Sequence, residues 1–286
     1  VAYAKVAYQM AYLKANYYDI FMSVLLSNVA GNDQTVYEYI LDLRKNNIRV
    51  LPPDIKHSTD RFIIHDGRIL MPLTQIKSIG KTQVQKILDI RKENDFKDFQ
   101  DFKNRMYKII NEKNMEMLIH SGALDGFHLN HHTMIENKEA THAGYEMYIT
   151  DFKLRTYDEY GFMELALYEK EALGFNIKYH PLQRYESYIK DHKLQTIEEV
   201  KDLNYAKVLG FITDKKVIKT KQGKQMAFIK IDDGQNELDV TLFTQIYLKY
   251  QELLDDKVKL FEIKPNSFNG KTTYILEKMY TIEEEN

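Results

Sequence analysis

The apolar residues of this 286-residue chain change their spacing once, and that change predicts a multidomain α+β protein. Up to about residue 195 they recur at intervals of three and four, which is the pattern of amphipathic helices. From Tyr205 they alternate with polar residues, which is the pattern of strands. We therefore expect an N-terminal all-α region and a C-terminal five-stranded β-structure, joined by loops and linker helices.

The helical region begins with an alanine- and tyrosine-rich stretch over residues 2–30. Its wide apolar stripe predicts a helix that is buried on much of its circumference, and a second apolar piece, Ile20–Val29, should end at Gly31. The stretch begins without an initiator methionine or a capping residue, so we expect the chain to be part of a longer one. A helix over Gln34–Asn46, an extended segment over Val50–Ile55 and a hairpin with an Asp66-Gly67 turn should follow.

A tight helical corner is predicted within Leu73–Ile90. Two apolar helical runs are separated there by Ser78-Ile79-Gly80. We expect Gly80 to take a positive φ and Thr82 to cap the second helix, since glycine has no Cβ and threonine is a common N-cap. The corner would then present backbone N–H groups at the positive end of a helix dipole, which is a site for a phosphate oxygen.

The predicted residues for duplex DNA backbone are Lys77, Ser78, Gly80, Lys81 and Thr82. An ordinary surface corner between two helices is the alternative. A second, looser helical pair over residues 96–126 has its own apolar face. Each pair is too small to bury a core alone, so the two together predict a tandem helix-hairpin-helix over residues 71–126.

Residues 127–204 are predicted to be loop and linker helices. Four histidines fall within the first part of this interval, and they are His128, His131, His132 and His142. Carboxylate or cysteine partners at metal-ligand spacing are lacking in the sequence, so we expect a polar loop over residues 127–150 and no metal site.

Residues 205–286 give three strands, one helix and two strands, which is the order of a five-stranded OB-fold barrel. Lysines flank its first turn, and phenylalanines lie on its strands. Cations that follow a backbone, together with aromatic faces for stacking, are the features of a single-strand binder. The predicted single-stranded DNA residues are Lys215, Lys216, Lys219, Lys221, Lys224, Phe228 and Phe268. A lysine-rich hairpin on a purely structural barrel is the alternative.

Composition excludes several classes of function. The chain has no cysteine, which excludes disulfides, thiolate metal sites and catalytic thiols and fits the reducing cytoplasm. No apolar run approaches the ~20 residues of a membrane span. A Gly-rich phosphate loop, a nucleophile elbow and a zinc signature are absent from the sequence, and the acidic pairs Asp232-Asp233 and Asp255-Asp256 are expected at turns or helix ends. We expect no catalytic residue, metal or cofactor in this chain.

Several segments, taken together and in order, resemble the bacterial DNA polymerase III alpha subunit of the DnaE type. The segments are Ala7–Tyr17 (AYQMAYLKANY), Val50–Ile55 (VLPPDI), Ile76–Gly80 (IKSIG), Leu118–Asp125 (LIHSGALD), Glu169–Leu182 (EKEALGFNIKYHPL), Lys224–Asp233 (KQMAFIKIDD) and Leu238–Phe243 (LDVTLF). Each alone is weak, whereas the ordered set is specific and covers nearly the whole chain.

The resemblance implies an identity for each part. Residues 1–70 would be the end of the fingers, residues 71–126 the helix-hairpin-helix of the clamp-binding domain, and residues 205–286 the OB domain. The parent would be a DNA-directed DNA polymerase whose catalytic aspartates and Mg²⁺ lie upstream of this chain. Implied partners are primer–template DNA, single-stranded DNA, the sliding clamp and other replisome subunits.

The family's clamp-binding peptide has no clean match here. The nearest segment is YEMYITDF, which lacks the family's glutamine and offers Tyr145, Met147, Tyr148 and Phe152 for clamp contact. Two other functions stay open. A repair or ligation module also combines a barrel with helix-hairpin-helices, but NAD-dependent ligases place the barrel first and carry a four-cysteine zinc site. A protein-interaction scaffold is the third hypothesis.

Overall fold

The computed structural model describes residues 2–139, 154–220, 222–255, 257–268 and 271–282, without the side chains of residues 2, 268 and 271. Its backbone contacts divide the chain into two compact units, Val1–Tyr179 and His180–Asn286. In the described part of the chain, no helix is both long and apolar enough to cross a membrane.

The first unit is mainly helical. Its helices are α1 (Ala2–Asn16), α2 (Tyr18–Val29), α3 (Asp33–Lys45), α4 (Lys81–Glu93), α5 (Phe99–Met106), α6 (Glu112–His120), α7 (His131–Glu136) and α8 (Phe162–Leu173), with 3-10 turns at Leu73–Gln75 and Asp125–Phe127. Its strands are β1 (Val50–Leu51), β2 (Ile63–His65) and β3 (Arg68–Leu70), in the order β1-β3-β2.

The first helix differs from the prediction in its burial, whereas the predicted second apolar piece falls within α2. Tyr17, at φ −141° and ψ 52°, leaves the helical region and separates α1 from α2. The described side chains of α1 are exposed, Tyr3 and Tyr8 most of all, and the main contact of α1 among the described residues is with α2. The buried stripe begins instead on α2, where Met22 and Leu26 join the core.

The hairpin with the Asp-Gly turn is confirmed. Asp66 and Gly67 both take positive φ, at 49° and 70°, as a two-residue turn of type I′ requires. Behind it, β1 pairs in parallel with β3, so the extended segment predicted at Val50 becomes an edge of this small sheet. The core of the unit runs from α2 to α8, and Ile40, Phe102 and Leu118 are fully buried in it.

The second unit is a closed barrel with attached short helices. Its strands are β4 (Ala206–Lys219), β5 (Gln225–Asp232), β6 (Glu237–Leu242), β7 (Lys259–Phe268) and β8 (Lys271–Thr281), and its helices are α9 (Glu186–Asp191), α10 (Ile197–Val200) and α11 (Thr244–Tyr250), with 3-10 turns at Pro181–Tyr185 and Gln251–Leu253. The barrel order is β4-β5-β6-β8-β7. This order, with a helix between the third and fourth strands, confirms the predicted five-stranded OB-type barrel.

Closure of the barrel depends on β4, which pairs with β7 over Ala206–Gly210 and with β5 from Phe211 onward. A Cβ at Gly210 would lie 2.7 Å from the carbonyl oxygen of Asp232. Glycine is therefore required where β4 passes from one neighbour to the other.

Candidate nucleic-acid interface

The helical corner is fixed to the first unit by apolar side chains on its inner side. Ile76 and Ile79 are 1% and 5% exposed, and Val84 on α4 is fully buried beside them. The intervening residues Lys77, Ser78 and Gly80 point away from the core and are exposed. The alternation of apolar and polar residues in this corner therefore orients its polar positions outward.

The backbone of the corner differs from the prediction at two positions. Ser78 carries the positive φ, at 67°, whereas Gly80 has a φ of −80° in the extended region. The expectation for Gly80 was wrong because the sharp bend falls two residues earlier, at the position where the usual corner motif has its first glycine. Ser78 holds the left-handed conformation despite its Cβ.

The cap of α4 is also displaced from the predicted residue. Gly80 is the N-cap, α4 begins at Lys81, and Thr82 is its second residue. Gln83 takes over the capping role, since its Oε1 accepts a hydrogen bond from the Gly80 N–H at 3.1 Å. Thr82 is therefore not an N-cap, and its exposed side chain stands at the first turn of the helix.

Two N–H groups at this helix start are left for an external acceptor. Among the described residues, the N–H groups of Lys81 and Thr82 have no hydrogen-bond partner, as expected for the first positions of a helix. Both nitrogen groups of Lys77, in contrast, already have partners within the first unit. Its N–H donates to Ala172 O at 2.8 Å, and its Nζ lies 3.4 Å from Asp33 Oδ2.

The second helical pair is present as α5 and α6. Asn111 caps α6, and its Oδ1 accepts from the Asn114 N–H at 2.8 Å. The two hairpins touch through Gln83, whose Nε2 donates to Ile109 O at 3.3 Å. Gln83 thus closes the first corner and ties it to the second, which accounts for the tandem arrangement.

The predicted polar loop after residue 127 contains a helix that the sequence analysis missed. Asn130 caps α7 by accepting from the Thr133 N–H at 2.8 Å. His131, in this helix, is buried, and its Nε2 lies 2.8 Å from Asp125 Oδ1. Burial alone would raise the pKa of Asp125, but His131 and Lys178 lower it below its ordinary value. The Asn130 cap and the Asn130-to-Thr133 spacing are the sequence signals that would have predicted α7.

The predicted single-strand residues fall on two faces of the β4–β5 hairpin. Lys216 pairs with Phe228 across the strands, and both point outward and are exposed. Lys215 and Lys219 alternate with Lys216 and lie on the opposite face, where Lys215 Nζ donates to Leu254 O at 2.8 Å. Lys224 follows the turn and is exposed.

Other predicted residues stand apart from that hairpin or outside the description. The backbone of Phe268 ends β7 opposite Lys271, at the start of β8. The parallel register Val240↔Tyr274 places the start of β8 near the start of β6, whereas the β4–β5 turn lies near the end of β6. Lys221 and the segment of proposed clamp contact, with Tyr145, Met147, Tyr148 and Phe152, lie outside the described residues.

The outward face of β4, β5 and β6 carries opposite charges at its two ends. Asp214 and Asp239 are exposed at the end away from the hairpin turn. Next to them, Lys230 is paired with Glu237 at 3.3 Å. Lys216 and Lys224 lie toward the turn, so this end of the face is the more positively charged one.

The acidic pair Asp232-Asp233 belongs to a turn, as predicted. Asp232 is fully buried, and its Oδ1 accepts from the Gly234 N–H. Asp233 Oδ1 accepts from the N–H groups of Gln235 and Asn236 at 3.0 and 2.7 Å. Within the described ranges, no cluster of three or more His, Asp or Glu side chains is placed to hold a metal ion.

By its fold, this chain belongs to the class of multidomain proteins that combine a tandem helix-hairpin-helix with a closed five-stranded barrel. A model of the helix-hairpin-helix motif matches residues 47–134, which span both hairpins. The chain is 32% identical to DNA polymerase III subunit alpha of Borreliella burgdorferi over 99% of its own length and 27% of the relative's. The corresponding protein of Bacillus subtilis is 30% identical over 91% of the chain and 25% of the relative.

The resemblance to the DNA polymerase III alpha subunit is thereby confirmed, and this chain spans about a quarter of the length of the curated relatives it matches. The Staphylococcus aureus protein is 32% identical over 89% of the chain. Among solved structures, the mitochondrial single-stranded DNA-binding protein Rim1 of S. cerevisiae aligns over 28% of this chain, at 10% identity and a TM-score of 0.24.

Proposed function

We propose that this chain binds DNA as part of a replicative DNA-directed DNA polymerase. The helix-hairpin-helix corner would hold the phosphate backbone of the duplex, and the barrel would hold the single-stranded template. One observation carries the proposal: an exposed corner, anchored by two buried isoleucines, with two unpartnered helix-start N–H groups among the described residues. The match to polymerase alpha subunits supports its place in replication.

At the corner, the N–H groups of Lys81 and Thr82 would donate to one phosphate, with the Lys81 ammonium beside it. Ser78 and Gly80 keep the approach open because both are small and exposed. Lys77 would contribute charge from its pair with Asp33. Such contacts fix position on the duplex without reading its sequence.

The test is a gel-shift titration of a primed template at two salt concentrations. Lys81→Glu should weaken duplex binding roughly tenfold and reduce the salt slope by about one. Glutamate at the first helical turn favours the helix, so loss of folding would not explain the result. Lys92→Glu is the matched control, since Lys92 is exposed on the same helix about 16 Å further along its axis.

Equal affinities for Lys81→Glu, Lys92→Glu and the unaltered chain would reduce the corner to a structural element. Failure of the unaltered chain to shift any DNA would favour the protein-interaction scaffold. The first outcome thus tests the role of the corner, and the second tests DNA binding against the scaffold hypothesis.

On the barrel, the outward face with Lys216, Lys224 and Phe228 would carry the single strand. Lys216→Glu should lower affinity for single-stranded DNA roughly tenfold, because a phosphate contact becomes a repulsion. Lys219→Glu is the matched control, with the same charge change on the opposite face of the same strand. Equal losses in both variants would argue for diffuse attraction by the hairpin.

The replication context adds further proposals. Nucleotide joining, with its Mg²⁺ ions, would take place in another part of the longer protein, and this chain would act in the cytoplasm. The segment with Tyr145, Met147, Tyr148 and Phe152 would contact the sliding clamp, and other replisome subunits would complete the assembly. Alanine at Tyr148 and Phe152 should then reduce clamp pull-down while leaving duplex binding unchanged.

A further inference from the structure

A recess of about 560 Å³ opens on the barrel where β6 ends and α11 begins. It lies between this junction and the β4–β5 turn. Met226, Phe243 and Ile246 form its apolar part, and Lys224, Gln222 and Gln245 supply polar groups. Among the described residues that line it there are a cation and amides but no carboxylate.

Phe243 faces this recess because of the strand register. Leu242 is fully buried and pairs with Ala227 inside the barrel. Phe243 follows in an extended conformation, at φ −65° and ψ 160°, so its ring points to the outer side. Phe243 is 49% exposed, so its ring is accessible from the recess.

A second exposed ring stands on the same face. Phe228 pairs with Thr241 and is 42% exposed. Since Phe243 lies two residues beyond Thr241, the two phenylalanines are diagonal neighbours across the strands, about 7–8 Å apart at their Cα atoms. At this spacing, each ring is able to stack on a planar group of its own.

The charge of the surroundings identifies the occupant. Lys224 borders the recess, and Lys216 lies beside Phe228, so a polyanion is attracted to this end of the face. Asp214 and Asp239 lie at the other end and repel it. An apolar ring with amides and a cation around it suits a nucleobase attached to a phosphate chain.

We propose that the recess receives one unpaired base of single-stranded DNA, which stacks on Phe243 while its phosphate lies beside Lys224. This inference rests on the proposed function of the barrel and names the residue that would hold the base. Phe228 would stack the neighbouring base, so the strand would run along β5 and β6 toward the hairpin turn.

The experiment uses the whole 286-residue chain and a labelled oligothymidylate of about 12 nucleotides, within the roughly 4–16 that one such barrel covers. An abasic oligomer of the same length is the second probe. Phe243→Ala should bind oligothymidylate roughly tenfold more weakly, and Phe243→Tyr should restore binding because it keeps the aromatic face. On the abasic oligomer, all three proteins should bind alike.

Leu248→Ala is the matched control, since Leu248 is an exposed apolar residue of α11 outside the recess. Circular dichroism checks folding, and Phe243→Leu, which keeps the bulk without the aromatic face, replaces Phe243→Ala if that variant unfolds. Unchanged oligothymidylate affinity in Phe243→Ala would overturn this inference while the barrel's proposed function stands. Equal losses on the abasic oligomer would also overturn it, because the ring would then act on the backbone. An unaltered chain that binds no single strand would overturn both.

Discussion

Ser78 lies in the left-handed region at φ 67°, at the bend of the corner. For a residue with a Cβ this conformation costs about 1–2 kcal/mol. The cost is tolerated because Ile76 and Ile79 hold the chain on both sides of it. The serine therefore adds strain at an exposed position next to the N–H groups of α4.

Ser78→Gly should relieve this strain. We expect a gain in the free energy of unfolding of up to about 1 kcal/mol, since the greater freedom of glycine in the unfolded chain offsets part of the relief. Urea unfolding followed by circular dichroism measures it. Ser78→Ala, which keeps the Cβ, should show no gain. If Ser78→Gly lowers the free energy of unfolding more than Ser78→Ala does, Ser78 is not strained.

Gly234 combines a positive φ of 90° with a close neighbour. A Cβ there would lie 2.9 Å from Cε1 of the buried His180 ring. Gly234→Ala should therefore lower the free energy of unfolding for two reasons. The positive φ is unfavourable for alanine, and overpacking against His180 adds about 1–3 kcal/mol to the loss. Gly223→Ala isolates the φ cost, because Gly223 has a φ of 76° and no atom within 4 Å of its Cβ position.

Thermal unfolding of both variants, with hydrogen exchange of the β5 amides to localise the effect, measures the difference. Similar losses in the two alanine variants would mean that the His180 ring moves aside.

The backbone conformations of single residues were the least predictable feature of the corner. The sequence predicts a bend between two apolar runs, because glycine and serine interrupt the helical period there. It does not reveal which residue carries the positive φ, since that depends on how Ile76 and Ile79 fit the core. The same holds for the cap, which passes from Thr82 to Gly80 and Gln83 because α4 begins two residues earlier than a helix capped by Thr82 would.

At the scale of elements, α6 and α8 are joined by a stacked pair of rings. The rings of His120 and Tyr168 lie 4.3 Å apart and are nearly parallel. Burial, with the nearby His131, lowers the pKa of His120 to about 4; Glu116 opposes this effect and Lys138 adds to it. Within the described chain, His120 Nδ1 has no hydrogen-bond partner.

This histidine should make the first unit sensitive to acid. The folded state favours neutral His120, while the unfolded chain binds a proton near its ordinary pKa of about 6.5. Stability is thus full above about pH 6.5 and is lost as the pH falls toward 4, by about 3 kcal/mol at pH 4.5. His120→Phe keeps the stacking and should remove this part of the pH dependence.

Urea unfolding at pH 7 and pH 4.5 gives the measurement. His128→Asn is the control, since His128 is exposed and its left-handed φ of 59° is one that asparagine tolerates. Identical acid losses in the unaltered chain and His120→Phe would assign the effect to carboxylates.

Most elements followed from periodicity, and the exceptions have physical causes. The barrel strands were predictable because alternate residues such as Val240 and Leu242 are buried inside it. Helix α7 was missed because its six residues are too few to show a period. The exposure of α1 could not be deduced, because an apolar stripe indicates what a helix is able to bury and not what covers it.

At the scale of the whole molecule, the proposed function assigns duplex DNA to one unit and single-stranded DNA to the other. If the sites act independently, a variant in one should leave the other unchanged. Lys81→Glu should weaken duplex binding alone, and Lys216→Glu single-strand binding alone. The double variant should show the full loss of duplex affinity and the full loss of single-strand affinity.

Fluorescence anisotropy with a blunt duplex and with an oligothymidylate measures both losses on the same four proteins. A loss of single-strand affinity in Lys81→Glu would mean that the corner serves both forms. The fold class and the family were predictable at this scale, since ordered segments retain their identity over the whole chain. The division of the β4 lysines between two faces of the hairpin was not predictable, because it depends on the β4–β5 register.

That register also limits how the β4–β5 hairpin is able to evolve. Because successive side chains point to opposite sides, deletion of Lys215 would turn Lys216 inward and Val217 outward. Removal of a pair would shorten the arm yet keep every remaining cation on its own side. Hairpins of related proteins should therefore differ in length by even numbers of residues.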